Sequence, residues 1–124
     1  TASPCFGLLL PSKGTVAISP LVIKASAGTL FKSTLIHCEN LEQALPTLKN
    51  IGVKCCTLSS HSKLSIADFK TESPVVYVLG NETEGVSKTV SRLCTEHIRI
   101  PMNNGVESLN VAVTAALLAF KQSI

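Results

Sequence analysis

Short apolar runs separated by helix-type patterns constrain this chain more than anything else in it. They are GLLL (7–10), TLIH (34–37), VKCCTL (53–58), PVVYVLG (74–80) and HIRI (97–100). Each is too short for a buried helix, and most are closed by glycine, proline or a polar turn, as strands are. PVVYVLG is a continuous β-branched run, the pattern of a strand buried on both faces. Strands that alternate with helices at this spacing predict an α/β fold with a parallel sheet. Such sheets bind ligands beyond the carboxyl ends of their strands. Gly80 and Pro101 stand at two such ends, so the polar residues after them are the first candidates for a site.

The intervening segments carry helix signals. SPLVIKASAGTL (19–30) opens with Ser19 as a candidate N-cap, puts Pro20 at the first helical position and stops at Gly28. NLEQALPTLKNIG (40–52) repeats Leu41, Ala44, Leu45 and Leu48 at helical spacing, pairs Asn40 with Gln43 as a capping box, and stops at Gly52. Pro46 should kink or interrupt it. SIADF (65–69) fits one helical turn. VSKTVSRLC (86–94) lines Val86, Val90, Leu93 and Cys94 along one face. ESLNVAVTAALLAFKQ is apolar almost all round, the mark of a helix buried on most sides.

A length of 124 residues suits one domain, and 45% hydrophobic with 15% charged residues argues against disorder. The net charge of +3 comes from scattered lysines with no polybasic run, which permits a nucleic-acid partner without predicting one. Five cysteines without a C-x-x-C pair argue against a zinc site or a disulfide framework. They read as small core residues in a reducing compartment, cytoplasm or organelle. No metal is expected. The longest apolar stretch, 111–120, is too short to span a bilayer, so no membrane partner is expected, and no signal peptide is visible. His37, His61 and His97 show no catalytic spacing.

Two loops carry the chemistry. In VLGNETEG (78–85) a glycine-rich turn could cradle an anion, but Glu82 and Glu84 would repel phosphate. The pattern suits a neutral or cationic ligand; equally, the acids could simply favour the start of a helix. In PMNNGVESLN (101–110), Asn103, Asn104 and Gly105 supply a turn and Ser108 could be a plain N-cap. Asn110 among Leu109, Val111 and Ala112 is harder to explain, because a buried amide needs partners.

Together, VVYVLGNETEGVSKTV and CTEHIRIPMNNGVESLNVAVTAALLAF resemble the second and third motifs of the SpoU/TrmH-type RNA 2′-O-ribose methyltransferases of the SPOUT class. SPLVIKASAGTL resembles the segment after that family's first motif. The resemblance implies a parallel-sheet α/β SPOUT fold whose C-terminal region forms a deep trefoil knot. It implies S-adenosylmethionine bent into that knot, held by Leu79, Gly80, Asn81, Gly85, Ile100, Met102, Ser108 and Leu109. The loop after strand 53–58 would close over the adenosine side. Glu82, Ser108 and Asn110 match the reactive positions. Structured rRNA or tRNA is the implied substrate, and a homodimer the implied assembly.

The family's first motif ends in an arginine just before a Ser/Thr-Ala pair, which Thr1 and Ala2 resemble. The first strand and that arginine are therefore expected to be missing, and neither Arg92 nor Arg99 fits the role. Residues 1–124 are read as an N-terminally truncated methyltransferase domain, inactive alone within an active parent. The alternatives are a degenerate, catalytically silent RNA-binding or assembly domain on the same fold, and an unrelated small-molecule-binding α/β domain.

Overall fold

In the computed structural model, described over residues 3–12, 24–81 and 83–121, the strands form two parallel sheets. The chain divides into two compact units, Thr1–Leu41 with Ala119–Ile124, and Glu42–Leu118.

In the first unit, β1 (Leu8–Pro11) pairs in parallel with β2 (Leu35–Cys38), from Leu8↔Leu35 to Pro11↔Cys38. Pro11 has no N–H to extend the ladder. Ser12 takes over, donating its N–H and its hydroxyl to the Cys38 carbonyl at 2.8 and 3.1 Å. Residues 13–23, including the cap expected at Ser19 and Pro20, lie outside the described residues. The stop expected at Gly28 is seen: helical backbone at Lys24 and Ala25 gives way to left-handed φ values of 51° at Ala27 and 77° at Gly28.

The second unit takes in α1 (Leu41–Asn50) from Glu42 on, β3 (Lys54–Leu58), β4 (Val75–Val78), α2 (Lys88–Leu93), β5 (Glu96–Ile98) and α3 (Val111–Phe120) as far as Leu118. Its sheet has the order β4-β3-β5, all parallel. The centre is therefore β3, where Cys55, Cys56 and Thr57 are buried. The β-branched run expected to be covered on both faces is instead the edge strand β4. Val75, Val76 and Tyr77 are only half-buried there, because an edge strand has a neighbour on one side alone.

Successive side chains of β3 point to opposite faces. Cys56 packs with Phe69, Ile98 and Leu118, with Tyr77 set edge-on to Phe69 at 6.5 Å between ring centroids. Phe69 is delivered by the turn expected over 65–69: Ser65 Oγ donates to Asp68 Oδ2 at 2.7 Å, and Phe69 N–H to the Ser65 carbonyl at 3.0 Å. Cys55 meets α1, its thiol 3.8 Å from the Leu45 carbonyl. Across the same region, Lys49 Nζ donates to the Leu93 carbonyl at 3.2 Å.

Two helix expectations need correction. α1 passes through Pro46 unbroken, held by fully buried Leu45 and by Thr47, whose hydroxyl donates to the Gln43 carbonyl at 3.2 Å. α3 is not buried on most sides. Thr114 and Leu118 face inward, whereas Ala112, Val113, Ala116 and Leu117 are exposed. A helix with the sheet on one side covers only that stripe. The cysteines are all free; Cys55, Cys56 and Cys94 are core residues, but Cys38 is half-buried and Cys5 exposed on irregular backbone. Among the described residues, no helix is long and apolar enough to cross a membrane.

Candidate active site

A cleft of about 740 Å³ opens at the carboxyl ends of all three strands of the second unit. Residues 58–60 line it after β3, residues 78–81 with Gly85 and Val86 after β4, and Arg99, Ile100 and Met102 after β5. Residues 106–109, then Val111 and Thr114 of α3, complete the wall. Its size is ordinary for a small-molecule site, and its lining mixes apolar side chains with polar ones from every loop.

The wall after β4 depends on two glycines. Asn81 folds the loop around itself: its Oδ1 accepts the N–H groups of Thr83 and Glu84 at 3.0 and 2.5 Å, and its carbonyl accepts Gly85 N–H at 3.0 Å. The closure needs Gly85 at φ +68°, and it brings Gly85 so near Gly80 that a Cβ on Gly80 would lie 2.1 Å from the Gly85 carbonyl carbon. Asn81 thus spends its amide oxygen on the loop, and main chain is what the loop presents to the cleft. α2 begins only at Lys88, with Ser87 Oγ capping Val90 N–H at 3.2 Å and no acid in its first turn. The helix-start reading of Glu84 therefore fails. Glu82 lies outside the described residues.

The wall after β5 is pinned by main chain. Arg99 N–H donates to the Leu64 carbonyl, and Ile66 N–H to the Arg99 carbonyl, both at 2.8 Å. Beyond Pro101, Asn104 and Gly105 take φ values of 56° and 71°, the expected turn, which folds residues 106–109 back over the cleft.

Leu79, Gly80, Asn81, Gly85, Ile100, Met102, Ser108 and Leu109 all line this one cleft, although the two segments are far apart in sequence. Asn110 does not line it. It is exposed, and its Oδ1 accepts Ala112 N–H at 2.8 Å, so Asn110 rather than Ser108 caps α3. The premise of a buried amide is thereby corrected. Arg99 and Thr114 line the cleft without having been singled out from sequence as site residues. Only Thr114 left a signal, as the one polar side chain within the apolar run of α3. His37, His61 and His97 are exposed and lie outside the lining.

Arg99 and Glu107 are the only ionisable side chains lining the cleft among the described residues. One cation and one anion do not make a polyphosphate site. The arrangement can hold a small ligand by main-chain polar groups and apolar contact, near neutral in charge, at the ends of parallel strands.

Residues 2–120 match the SpoU rRNA Methylase family, and the chain belongs to it. It is 31% identical over 120 residues to a Staphylococcus epidermidis protein named as a TrmH family tRNA/rRNA methyltransferase, covering 97% of this chain and 48% of that protein. Among solved structures, an RNA 2′-O ribose methyltransferase superposes with a TM-score of 0.82 at 27% identity, over 97% of this chain and 46% of that one. The SpoU methyltransferase AviRb from Streptomyces viridochromogenes, solved with AdoMet, shares the fold with a TM-score of 0.81 at 22% identity, over 93% of this chain and 47% of its own. The chain spans about half the length of the curated relatives it matches.

Proposed function

We propose that this chain is the donor-binding part of an RNA 2′-O-ribose methyltransferase that uses S-adenosylmethionine. The observation that carries the reading is the convergence of residues 79–81 and 85–86 with Ile100, Met102 and residues 106–109 on one cleft at the carboxyl ends of three parallel strands. The donor suits that cleft. It carries no phosphate, and its sulfonium is compatible with a rim that includes Glu107. Its flat base can enter the apolar interior. Two glycines let main chain close on it.

Methyl transfer from sulfur to a ribose 2′-oxygen forms an O–CH₃ bond, breaks the S–CH₃ bond and releases the hydroxyl proton. Much of the acceleration in such a displacement comes from aligning oxygen, carbon and sulfur. The resemblance assigns Glu82, Ser108 and Asn110 to the reacting end, and an arginine preceding Thr1 to the chemistry itself. The 124 residues alone are therefore expected to bind donor without turnover, and the whole protein to methylate rRNA or tRNA. The same resemblance supports a deep trefoil knot and a first strand supplied by preceding chain.

A homodimer belongs to this reading. Val113, Ala116 and Leu117 stand at i, i+3 and i+4 on α3 and are exposed, an apolar stripe of the kind a second copy would cover. Leu117→Lys in the full-length protein should shift it from dimer to monomer in sedimentation.

The decisive experiment pairs calorimetry with chemistry. The full-length protein is titrated with S-adenosylmethionine, then incubated with radiolabelled donor and rRNA or tRNA, and the digest is scored for 2′-O-methyl nucleosides. Label in a ribose supports the proposal. Donor binding with no transfer to either RNA points to a silent RNA-binding domain, and no donor binding sinks the reading altogether.

A further inference from the structure

The described residues bury three polar side chains: Thr57, Ser65 and Thr114. Two have plain structural uses. Thr57 Oγ1 donates to the Val78 carbonyl at 3.5 Å, and Ser65 Oγ to Asp68 at 2.7 Å. Among the described residues the Thr114 hydroxyl has no hydrogen-bond partner, although the residue is only 9% exposed. Yet no buried side-chain oxygen of the described residues is both sealed off and unpaired. The Thr114 oxygen is therefore not fully sealed off, and Thr114 is one of the residues that line the cleft.

A buried hydroxyl on the wall of a cavity is costly unless something in the cavity bonds to it. Valine has the same shape and would fill the position without that cost. The exposed polar residues of the cleft, Ser60, Asn81, Glu107 and Ser108, and the half-buried Ser59 and Arg99 all lie on the loops, whereas Thr114 lies one turn into α3. A sulfonium or a zwitterionic amino-acid tail pays heavily for desolvation and belongs at the rim. A neutral heteroaromatic ring with polar edge atoms belongs in the interior.

We infer that the Thr114 hydroxyl hydrogen-bonds an edge heteroatom of the donor's purine base and so helps select an adenosyl group over other occupants. This rests on the reading that the cleft holds S-adenosylmethionine. It makes Thr114 a specificity residue for the donor, not a catalytic one.

The test is calorimetry on the full-length protein with S-adenosylhomocysteine and with analogues in which N1, N3 or N7 is replaced by C–H or the exocyclic amine is removed. Thr114→Val should weaken S-adenosylhomocysteine by about three- to tenfold, the span of one net hydrogen bond. Thr114→Ser should stay within about twofold. One analogue should lose the same factor on the wild type and nothing further on Thr114→Val. Equal binding of S-adenosylhomocysteine by wild type and Thr114→Val overturns the inference while leaving the donor site intact. No binding by the wild type overturns the reading beneath it. If Thr114→Val does not fold, the wild-type analogue series decides: a loss of less than twofold across every analogue overturns the inference.

Discussion

Asn110 has a structural use that is separable from any chemical one. Its Oδ1 holds Ala112 N–H at 2.8 Å, and its carbonyl accepts Thr114 N–H at 3.0 Å, so it starts α3. Asparagine and aspartate cap about equally well, whereas alanine does not cap. Asn110→Ala should cost about 1 kcal/mol in denaturant unfolding. Asn110→Asp should unfold like the wild type yet lose at least about tenfold in methyl transfer, since it keeps the cap and replaces the amide by a charge. Gly80 gives a sharper prediction. A Cβ there would meet the Gly85 and Val86 main chain at 2.1 to 2.5 Å, and neither contact is a flexible side chain. Gly80→Ala should destabilise by about 1–3 kcal/mol and weaken S-adenosylmethionine at least about tenfold, read by urea unfolding and calorimetry. Gly80 was legible in the sequence as a glycine closing a strand, where parallel sheets bind ligands, but its close approach to Gly85 was not. Thr114 was not legible as a cleft residue, because helical periodicity gives a face but not what that face borders.

At the scale of elements, each described strand starts within one residue of its apolar run, because β-branched and apolar residues between breakers leave few other options. Helix starts were less readable. Caps depend on which polar side chain turns back to the main chain, and at α3 Ser108 and Asn110 compete two residues apart. Pro46 was read by its intrinsic cost, and tertiary packing overrode that cost. Leu45 is fully buried against β3, so α1 keeps its path even though Pro46 cannot donate to the Glu42 carbonyl. The local penalty still exists. A proline in a helix interior costs about 3 kcal/mol, offset by up to about 1 kcal/mol from the stiffer unfolded chain. Pro46→Ala should therefore stabilise the protein by about 2 kcal/mol in urea unfolding, with its circular dichroism unchanged. An unaltered midpoint would show that the packing around Leu45 has absorbed the whole penalty.

For the whole molecule, the parallel α/β class was readable from alternation, but strand order was not. The strongest β run lies at an edge, and the cysteine pair lies at the centre, because small side chains let α1 and the Phe69 cluster both press on β3. That centre sets a pH limit on stability. Cys94 is buried, and its thiol is pushed up to about 11, first by burial and then by Cys55 beside it, with Lys49 partly opposing. Cys55 is raised too, again mainly by burial. In the unfolded chain these thiols ionise near 9.0. Above that pH the unfolded state holds fewer protons than the folded one, so stability falls as pH rises. The stabilisation is complete below pH 9 and is lost progressively towards pH 11. Melting temperature should hold level from pH 7 to 8.5 and decline from 9 to 10.5, measured under reducing conditions to keep the thiols free. In Cys94→Ala the decline should be shallower, because the most strongly raised of these thiols is gone, even though the cavity lowers the melting temperature at every pH. A wild type and a variant with parallel curves through that window would mean that the thiols do not link protonation to folding.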